Sequence, residues 1–469
     1  MRIPAAATCS YPLRGGNALR PLIDGIPAFR AIVAAVKGAR RSVWVTVAFL
    51  DEDLALPDAH GSFFEVLERT AARGIDVRVL FWSEPEIEKM ISGSAHFPAG
   101  LASFEKMVER APDVLARWDR LRGYCHHQKS WLIDAGSDSE VAFVGGINLD
   151  HDSLVTPGHP HGEGGGGASV HDVYAELRGP SATDVHHNFV QRWNEASERE
   201  QPFGAFPSLA CADDLDFPRE VSREAGATLV QVARTVRAGI YRRDVASPGA
   251  SPFPIADGEA SILEQYLAAV DAAERTIYLE NQILLCPVLV PRLDAALARG
   301  VDVIAVVPAK AMPELIRYRQ HPQAMPLFAM IEELARHDNF TMAALGATRE
   351  DGSHDEIYVH AKVAMVDDEW ATIGSANAML RSFGADTEMN VTAWDQAVAR
   401  GLRTELFAEH FGDADGAAAS GRNGTDDDRV ALGLLRERAL GNSQRRREGR
   451  PMRGNIFAID PRQWAVPES

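Results

Sequence analysis

The chain has few cysteines and no long apolar run. Its four cysteines, in 469 residues, lie far apart and form no C-x-x-C pair, so neither a disulfide framework nor a cysteine-based zinc site is predicted. It contains no run of about 18 apolar residues that could cross a bilayer. The formal charge of −18 would repel a polyanion. This charge disfavours nucleic acid as a partner, unless a local basic groove overrides the average.

The N-terminal segment also lacks the pattern of a secretory signal. Arg2 is followed by no apolar core of about 7 to 15 residues before Pro12. We therefore expect a cytoplasmic protein that associates with a membrane only peripherally. A hydrophobic content of 46% and a charged content of 24% are ordinary for a globular protein.

One pattern of histidine, lysine and aspartate occurs twice. Two segments share the spacing H-x-K-x4-D, with His127, Lys129 and Asp134 in the first and His360, Lys362 and Asp367 in the second. A Gly-[Gly/Ser]-x-Asn turn follows each copy and ends at Asn148 or Asn377. Because both parts are repeated, the sequence predicts one composite active site built from two halves of a duplicated chain.

The predicted secondary structure is duplicated as well. Helix, strand, helix and strand follow one another in each half, at 28–39, 42–49, 62–73 and 75–82 and again at 262–273, 275–280, 290–299 and 301–307. The interval between the two histidines suits one domain per copy and is far too long for a solenoid. Strands that alternate with helices predict α/β layers, with helices on both faces of each sheet.

Both motifs are expected at the edges of strands. Apolar runs just after each lysine, 131–133 and 363–366, predict strands, and the runs 141–144 and 371–373 predict their antiparallel partners. Alternation places the histidine and lysine of each motif on one face. The glycines at the following corner would let backbone amides approach a phosphate closely.

These motifs resemble those of the phospholipase D superfamily. The flanking segments at 124–129, 145–149, 171–193 and 277–282 look like the plant and animal type of phospholipase D, and the likeness covers roughly residues 17 to 412. The resemblance implies an α/β fold of two pseudo-symmetric α/β/α sandwich domains with mixed sheets and an active site at their interface.

The implied division of the chain has four parts. They are an N-terminal arm (1–16), a first domain (17–225), a second domain (226–412) and a C-terminal extension (413–469). We expect the extension to be partly disordered because it is rich in small and charged residues, although Ile456, Phe457 and Trp464 could fold it back.

The resemblance also implies a mechanism without metal or other cofactor. In that family one histidine attacks phosphorus to form a covalent phosphohistidine. The other protonates the leaving alcohol and then activates water or an acceptor alcohol. Carried over, His127 is the nucleophile and His360 the acid and base, although the pseudo-symmetry also allows the reverse. Lys129 and Lys362 would hold the phosphate oxygens.

Further residues are assigned to the site by position. Asn148, Asn377 and Ser375 are expected to hydrogen-bond the phosphate. Asp172 and Glu388 lie where the family has acids that orient the histidines.

The aspartates Asp134 and Asp367 complete the two motifs and are counted with the catalytic set. Their positions after strands also suit holding the strand and loop.

The histidines between the motifs do not predict a metal site. His151, His159, His161 and His171 are close in sequence but lack H-E-x-x-H or Cys/His spacing, so they are interpreted as part of a polar loop. The glycine-rich stretch at 159–167 lacks the Gly-Lys-Ser/Thr of a nucleotide-binding loop and is interpreted as a surface linker.

The expected function is that of an enzyme. We expect hydrolysis of the head-group phosphodiester of a glycerophospholipid at a membrane surface, by a chain that can complete its site as a monomer. A phosphatidyltransferase such as a cardiolipin or phosphatidylserine synthase, and a nuclease or other phosphodiesterase of the same superfamily, are the alternatives. A non-enzymatic binding protein would require loss of a motif residue, and none is lost.

Overall fold

The computed structural model describes residues 2–82, 101–119, 123–160, 163, 169–196, 214–349, 353–412 and 427–467. The helices in these ranges are α1 (Gly25–Gly38), α2 (Phe63–Ala71), α3 (Leu101–Arg110), α4 (Ala182–Glu195), α5 (Ser261–Ala272), α6 (Val290–Ala298), α7 (Pro313–Arg319), α8 (Met325–Leu334), α9 (Leu380–Gly384), α10 (Gln396–Phe411) and α11 (Asp428–Arg447). None of the helices in the described ranges has the length and apolar character needed to cross a membrane.

The strands also follow chain order. In the first half they are β1 (Arg14–Ile23), β2 (Ser42–Val47), β3 (Ala55–Leu56), β4 (Gly61–Ser62), β5 (Asp76–Trp82), β6 (Val114–Asp119), β7 (Ser130–Ile133), β8 (Val141–Gly145), β9 (Ser169–His171) and β10 (Val173–Arg178). In the second half they are β11 (Thr228–Val236), β12 (Glu259–Ala260), β13 (Thr276–Asn281), β14 (Leu284–Leu285), β15 (Asp302–Val306), β16 (Phe340–Thr348), β17 (His354–Val359), β18 (Lys362–Val366), β19 (Trp370–Gly374), β20 (Ala378–Met379), β21 (Glu388–Trp394) and β22 (Ile456–Ala458).

Local sequence explains where these elements begin and which face they bury. Helix α2 begins at a capping box in which Ser62 and Glu65 each bind the other's backbone N–H. Helix α1 buries Phe29, Ile32 and Val36 at helical spacing. The predicted helix, strand, helix, strand order is confirmed in both halves, with ends shifted by a few residues.

Each half contains a mixed sheet. In the first half β2, β5 and β6 are parallel, while β7, β8, β10 and β1 continue the sheet in antiparallel pairs. In the second half β13, β15 and β16 are parallel, and β18, β19, β21 and β11 continue in the same way. The predicted α/β fold of two similar halves is confirmed.

The two sheets are hydrogen-bonded to each other. Strand β1 pairs with β10 of its own half over Ala18–Ile23 and with β11 of the second half through Arg14 and Asn17, with a register shift between the two pairings. Strand β9 pairs in parallel with β17. Strand β1 begins at Arg14 and therefore crosses the boundary predicted at residue 17.

The N-terminal arm packs against the second half. Ile3 is buried in the hydrophobic core that contains α5, β13 and α6. Its carbonyl accepts a hydrogen bond from the Trp394 indole at 2.8 Å. The start of the chain thus stabilises the half that is distant in sequence.

The described part of the C-terminal extension is ordered secondary structure. Residues 428–447 form α11, and β22 adds an antiparallel strand beside β16. Ile456, Phe457 and Trp464 are buried, each in a different hydrophobic cluster. Residues 427–467 are thus folded back by these apolar side chains, as the sequence allowed, and partial disorder stays a prediction for the rest of the extension. Residues 413–426 lie outside the described residues.

Candidate active site

Each motif loop is fastened to the opposite half of the chain. The backbone N–H of His127, just before β7, donates to the carbonyl of Thr387 at 2.9 Å, and that of His360, just before β18, donates to His171 at 2.8 Å. The two imidazoles, together with Asn148 and Asn377, line one cavity. The two motifs are thus brought together at the boundary between the halves.

His127 is paired with an acid from the second half. Its Nδ1 atom lies 3.0 Å from Oε2 of Glu388 and 3.1 Å from the carbonyl oxygen of Ser375. Burial lowers the pKa of His127 well below its usual range, and Lys129 lowers it further. With its proton on Nδ1 facing these oxygens, the imidazole presents an Nε2 lone pair to the cavity.

Glu388 itself is fully buried at 0% exposure. Burial raises the pKa of Glu388 to about 7, although Lys129 and the Ser375 hydroxyl oppose the shift. The hydroxyl of Ser375 donates to Oε2 at 2.5 Å. A carboxyl that ionises near neutrality can stabilise an imidazolium without itself being strongly acidic.

His360 has the mirror-image arrangement. Its Nδ1 atom lies 2.6 Å from Oδ2 of Asp172, an acid of the first half. The backbone of Gly146 also hydrogen-bonds His360, as Ser375 does His127. Burial raises the pKa of Asp172 to about 7, against the attraction of Lys362. Each half therefore supplies the acid for the other half's histidine.

The motif glycines make room for protein atoms. A Cβ on Gly146 would lie 2.4 Å from Oδ1 of Asp172, and one on Gly374 would lie 2.1 Å from Oδ1 of Asn390. Both distances are far below van der Waals contact. In the structure, Gly146 leaves room for the carboxylate of Asp172, and Gly374 leaves room for the side-chain amide of Asn390. We had expected these glycines to let the backbone approach a phosphate.

The two lysines are buried beside the histidines. Lys129 donates to the carbonyl of His127 at 3.0 Å, and Lys362 donates to that of His360 and to Gln282. Burial lowers the pKa of Lys362 to about 7, although Asp172 opposes the shift, and burial also lowers the pKa of Lys129. A bound phosphodiester anion would raise the pKa of both lysines and favour their ammonium forms.

The two asparagines have hydrogen-bonding capacity left. The Oδ1 atoms of Asn148 and Asn377 are buried and have no hydrogen-bond partner among the described residues. Both side chains line the cavity with the histidines. They are therefore placed to bind a substrate there. Ser375 is not, because it is 0% exposed and its hydroxyl is used by Glu388. Its assignment to phosphate binding is wrong, since it positions Glu388.

The motif aspartates hold backbone and lie outside the cavity lining. Oδ1 of Asp134 accepts the N–H groups of Arg40 and Arg41 at 2.8 Å each, and Oδ1 of Asp367 accepts that of Arg275 at 2.8 Å. Both aspartates have positive φ, 57° and 55°. Asp134 and Asp367 thus fix the loop that leads into β2 or β13, as their positions after strands suggested, and a catalytic role for them stays a prediction.

Two residues beside His360 were not singled out by the sequence. The ring of Tyr358 stacks on His360 with centroids 6.5 Å apart. Gln282 donates to Tyr358 Oη at 3.0 Å while its carbonyl oxygen accepts from Lys362. The segment that ends at Gln282 had been noticed for its likeness only. The pairing with Lys362 depends on β13 lying beside β18, which local patterns do not encode.

A buried cluster behind Asp172 could hold a metal ion. Donor atoms of Asp24, His159, His171 and Glu409 all lie within 4.8 Å of one another. The nitrogen–oxygen separations within it are 3.0 to 3.4 Å, close to the edge of about 3.3 Å of a tetrahedral Zn²⁺ site. Burial opposes it, but Glu409 and Asp24 raise the pKa of His171 well above its usual range.

The expectation that these histidines belong to a polar loop is therefore wrong for His159 and His171, which are buried. His151 lies elsewhere and contacts Asp51 at 2.9 Å, and His161 lies outside the described residues. A second group, His171, Glu280 and His410, shares the first imidazole. The acids come from distant elements, so sequence spacing carried no signal of the cluster.

The cavity above the histidines is large and has one apolar wall. Its volume is about 1530 Å³, beyond the roughly 300–1,000 Å³ usual for small-molecule sites. The segment 308–316, after β15, contributes mostly apolar residues to the lining, together with the charged Lys310 and Glu314; the apolar ones include Pro308, Ala309, Ala311, Met312 and Ile316. The site therefore combines a polar floor with an apolar side.

Comparisons of the sequence find similar proteins with known descriptions. The family model described as "Cardiolipin synthase, PLD-like domain" matches residues 266–410. Phospholipase D beta 2 of Arabidopsis thaliana is 24% identical over 79% of this chain and 54% of its own length. Phospholipase D alpha 1 of Brassica oleracea var. capitata is 21% identical over 87% of this chain and 66% of its own length. The chain thus spans between about half and two thirds of these relatives.

A solved structure supports the fold. Phosphatidylserine synthase of Haemophilus influenzae Rd KW20 superimposes with a TM-score of 0.57 at 13% identity, covering 84% of this chain and 87% of that one. At this identity the similarity concerns the fold alone. Together with the duplicated motifs and the shared cavity, these matches support placing the chain in the phospholipase D superfamily.

Proposed function

We propose that the protein hydrolyses the head-group phosphodiester of a glycerophospholipid, yielding phosphatidate and the free alcohol. The observation that carries this proposal is the pair of cavity-facing imidazoles, His127 and His360, each backed by a buried carboxyl from the other half. A phosphodiester needs a nucleophile, an acid for its leaving oxygen and neutralisation of its charge. The two motifs supply all three.

In the first step Nε2 of His127 attacks phosphorus. The bond from phosphorus to the head-group oxygen breaks, and His360 as imidazolium gives its proton to that oxygen. The product alcohol leaves, and the phosphatidyl group stays covalently bound to Nε2 of His127. Lys129 and Lys362 hold the non-bridging oxygens, and Asn148 hydrogen-bonds the substrate.

In the second step His360, now neutral, takes a proton from water. The water oxygen attacks phosphorus, the bond to Nε2 of His127 breaks, and phosphatidate is released. Glu388 keeps the Nδ1 proton of His127 in place throughout. Burial and the two lysines lower the pKa of His360 well below its usual range, so the negative charges of Asp172 and of the bound phosphodiester are needed to stabilise its imidazolium form. Both histidines end in the protonation states in which they began.

The apolar wall supports a lipid as the substrate. Pro308, Met312 and Ile316 lie on the cavity that contains the histidines, and apolar lining favours acyl or glyceryl carbon over the sugars of a nucleic acid. The charge of −18 points the same way, because it disfavours long polyanions.

The test is release of choline or ethanolamine from phospholipid vesicles. Wild type should turn over, and His127→Asn and His360→Asn should each lose at least about 10³-fold in kcat/KM. His337→Asn is the matched control, since this surface histidine contacts Asp294 outside the site. Normal turnover by either motif variant would refute the two-histidine mechanism.

A phosphatidyltransferase is the second candidate, favoured by the size of the cavity. A volume of about 1530 Å³ leaves space for an acceptor alcohol beside the lipid. In place of water, the alcohol oxygen would then attack phosphorus and give its proton to His360, and the bond from phosphorus to Nε2 of His127 would break, so that the phosphatidyl group passes to the alcohol. Adding ethanol or glycerol and measuring the ratio of phosphatidyl alcohol to phosphatidate separates transfer from hydrolysis.

A further inference from the structure

The last turn of α11 and the segment that follows it are strongly basic in an acidic chain. Residues 445–453 contain one acid, Glu448, and five arginines, which we call the basic rim: Arg445, Arg446, Arg447, Arg450 and Arg453. The whole chain has a formal charge of −18. Such a concentration of positive charge creates a local potential opposite to that of the rest of the surface.

The basic rim lies at the lip of the active-site cavity. Met452, between its last two arginines, packs in one cluster with Ala309 and donates its N–H to Thr348 Oγ1 at 3.1 Å. Ala309 and Thr348 both line the cavity, and so does Asn455, two residues after Arg453. The segment that carries the arginines therefore borders the cavity that contains the histidines.

The backbone that carries these arginines is held firmly. The side chain of Asn442 binds both the N–H and the carbonyl of Arg453, at 2.8 Å each. The guanidinium of Arg446 lies 3.9 Å from the centroid of the Phe457 ring, which anchors the end of α11 on β22. The positive charges of the basic rim are thus carried by a backbone that hydrogen bonds and packing hold in place.

The outer arginines point to solvent next to an apolar side chain. Arg447, Arg450 and Arg453 are exposed, and Arg450 also contacts Glu448. Leu440 is 50% exposed and lies seven residues before Arg447, on the same face of α11. Basic residues beside an exposed leucine suit an interface where anionic head groups meet acyl chains.

We propose that the basic rim docks the protein on an anionic phospholipid surface and so turns the cavity opening toward the bilayer. This inference rests on the proposed function for its biological sense, since docking there would deliver a lipid to the site. Leu440 and the apolar wall favour a lipid surface over a nucleic acid, whose backbone offers no apolar layer. Attraction of several arginines depends on ionic strength and falls as salt screens it.

The experiment measures co-sedimentation with vesicles and needs no turnover. It uses the His360→Asn chain, so that the vesicles are not converted to phosphatidate. Vesicles of phosphatidylcholine alone are compared with vesicles containing roughly one third phosphatidylglycerol. Binding is expected only to the anionic vesicles and should be lost near 0.5 M salt, where the Debye length is only about 4 Å.

The test variant replaces Arg447, Arg450 and Arg453 by glutamine. Its affinity for anionic vesicles should fall by about 10- to 100-fold, from the loss of roughly fivefold per arginine. The matched control replaces three exposed arginines elsewhere by glutamine, namely Arg219, Arg223 and Arg336. The control should bind as before, and circular dichroism should show both variants folded.

Several results would overturn the docking surface. Equal binding by the test variant, or equal loss in the control, would show that the basic rim is not the contact. Tighter binding to a duplex of about 20 base pairs than to anionic vesicles, lost in the test variant, would identify nucleic acid as the partner. If vesicles bind as expected but wild type releases no head group, the docking surface stands and the proposed function falls.

Discussion

His360 and Asp172 are 188 residues apart in the chain, yet Nδ1 of the one lies 2.6 Å from Oδ2 of the other. Asp172 is itself fixed by the backbone N–H of Val173 at 2.7 Å. The contact crosses between the halves, as does that between His127 and Glu388. The acid that hydrogen-bonds each histidine is therefore supplied by the opposite half.

Removing the charge of Asp172 should disable His360 with little change in the fold. Asp172→Asn offers an amide in place of the carboxylate, so the imidazolium loses its stabilising anion and the ring its preferred tautomer. We expect kcat to fall by about 10²- to 10⁴-fold. Head-group release gives the rate, and thermal unfolding checks the fold. Asp302→Asn, which removes a surface carboxylate paired with Arg429, is the control. An unaltered rate would contradict the orienting role.

Glu388 should make the protein less stable as pH rises. Burial raises the pKa of Glu388 from 4.5 to about 7. The folded state then holds a proton that the unfolded state releases between these values, so stability falls with pH across that window. The group contributes up to about 3 kcal/mol.

Urea unfolding at pH 5 and pH 7.5 tests this linkage. In Glu388→Gln the loss of unfolding free energy between the two values should be smaller than in wild type by as much as about 3 kcal/mol. The surface variant Glu356→Gln should keep the wild-type difference. The same difference in Glu388→Gln and wild type would mean that Glu388 is already ionised at pH 5.

Asp134 should matter for stability more than for catalysis. Asp134→Ala leaves the backbone N–H groups of Arg40 and Arg41 without their acceptor, which should cost about 2–4 kcal/mol. Asp134→Asn keeps an acceptor oxygen and tolerates the positive φ of 57°, so it should recover most of the loss. Chemical denaturation measures both. If Asp134→Ala abolished kcat at full stability, the aspartate would belong to the reaction after all.

The buried cluster should depend on each of its carboxylates. Glu409→Gln leaves His171 and His159 with less negative charge around them and should cost about 3–5 kcal/mol in unfolding free energy. A drop in melting temperature when wild type is treated with a chelator, absent in Glu409→Gln, would identify an ion as the partner of these residues. A variant as stable as wild type would show that the cluster carries no buried charge.

Much of the fold could be predicted because the signals are local. The apolar spacing of Phe29, Ile32 and Val36 indicates a helix by itself, and the run 42–47 indicates a strand. The duplicated motifs also revealed the two histidines and lysines. Glu388 was assigned as an orienting acid only through the family resemblance. Local patterns could not show that it pairs with His127, since the partners are 261 residues apart and only the packing of the two sheets brings them together.

Other misses have the same cause. Ser375 belongs to a motif that suggested phosphate binding, but its hydroxyl is directed to Glu388 by the pairing of β19 with β21. Composition predicted partial disorder in the C-terminal extension. Its few apolar residues become buried because β22 pairs with β16, and composition does not reveal that pairing. Composition reports an average, whereas packing depends on individual side chains.

The shared strand β1 limits how the enzyme can admit its substrate. Strand β1 is hydrogen-bonded to a strand of each half at once. The two halves therefore cannot separate by a hinge motion unless these backbone hydrogen bonds break. A substrate must therefore enter past the edge of the cavity, while the two histidines stay at a fixed separation. Substrate selectivity then depends on the shape and chemistry of the cavity entrance. The turnover rate depends on how quickly product leaves through the same entrance.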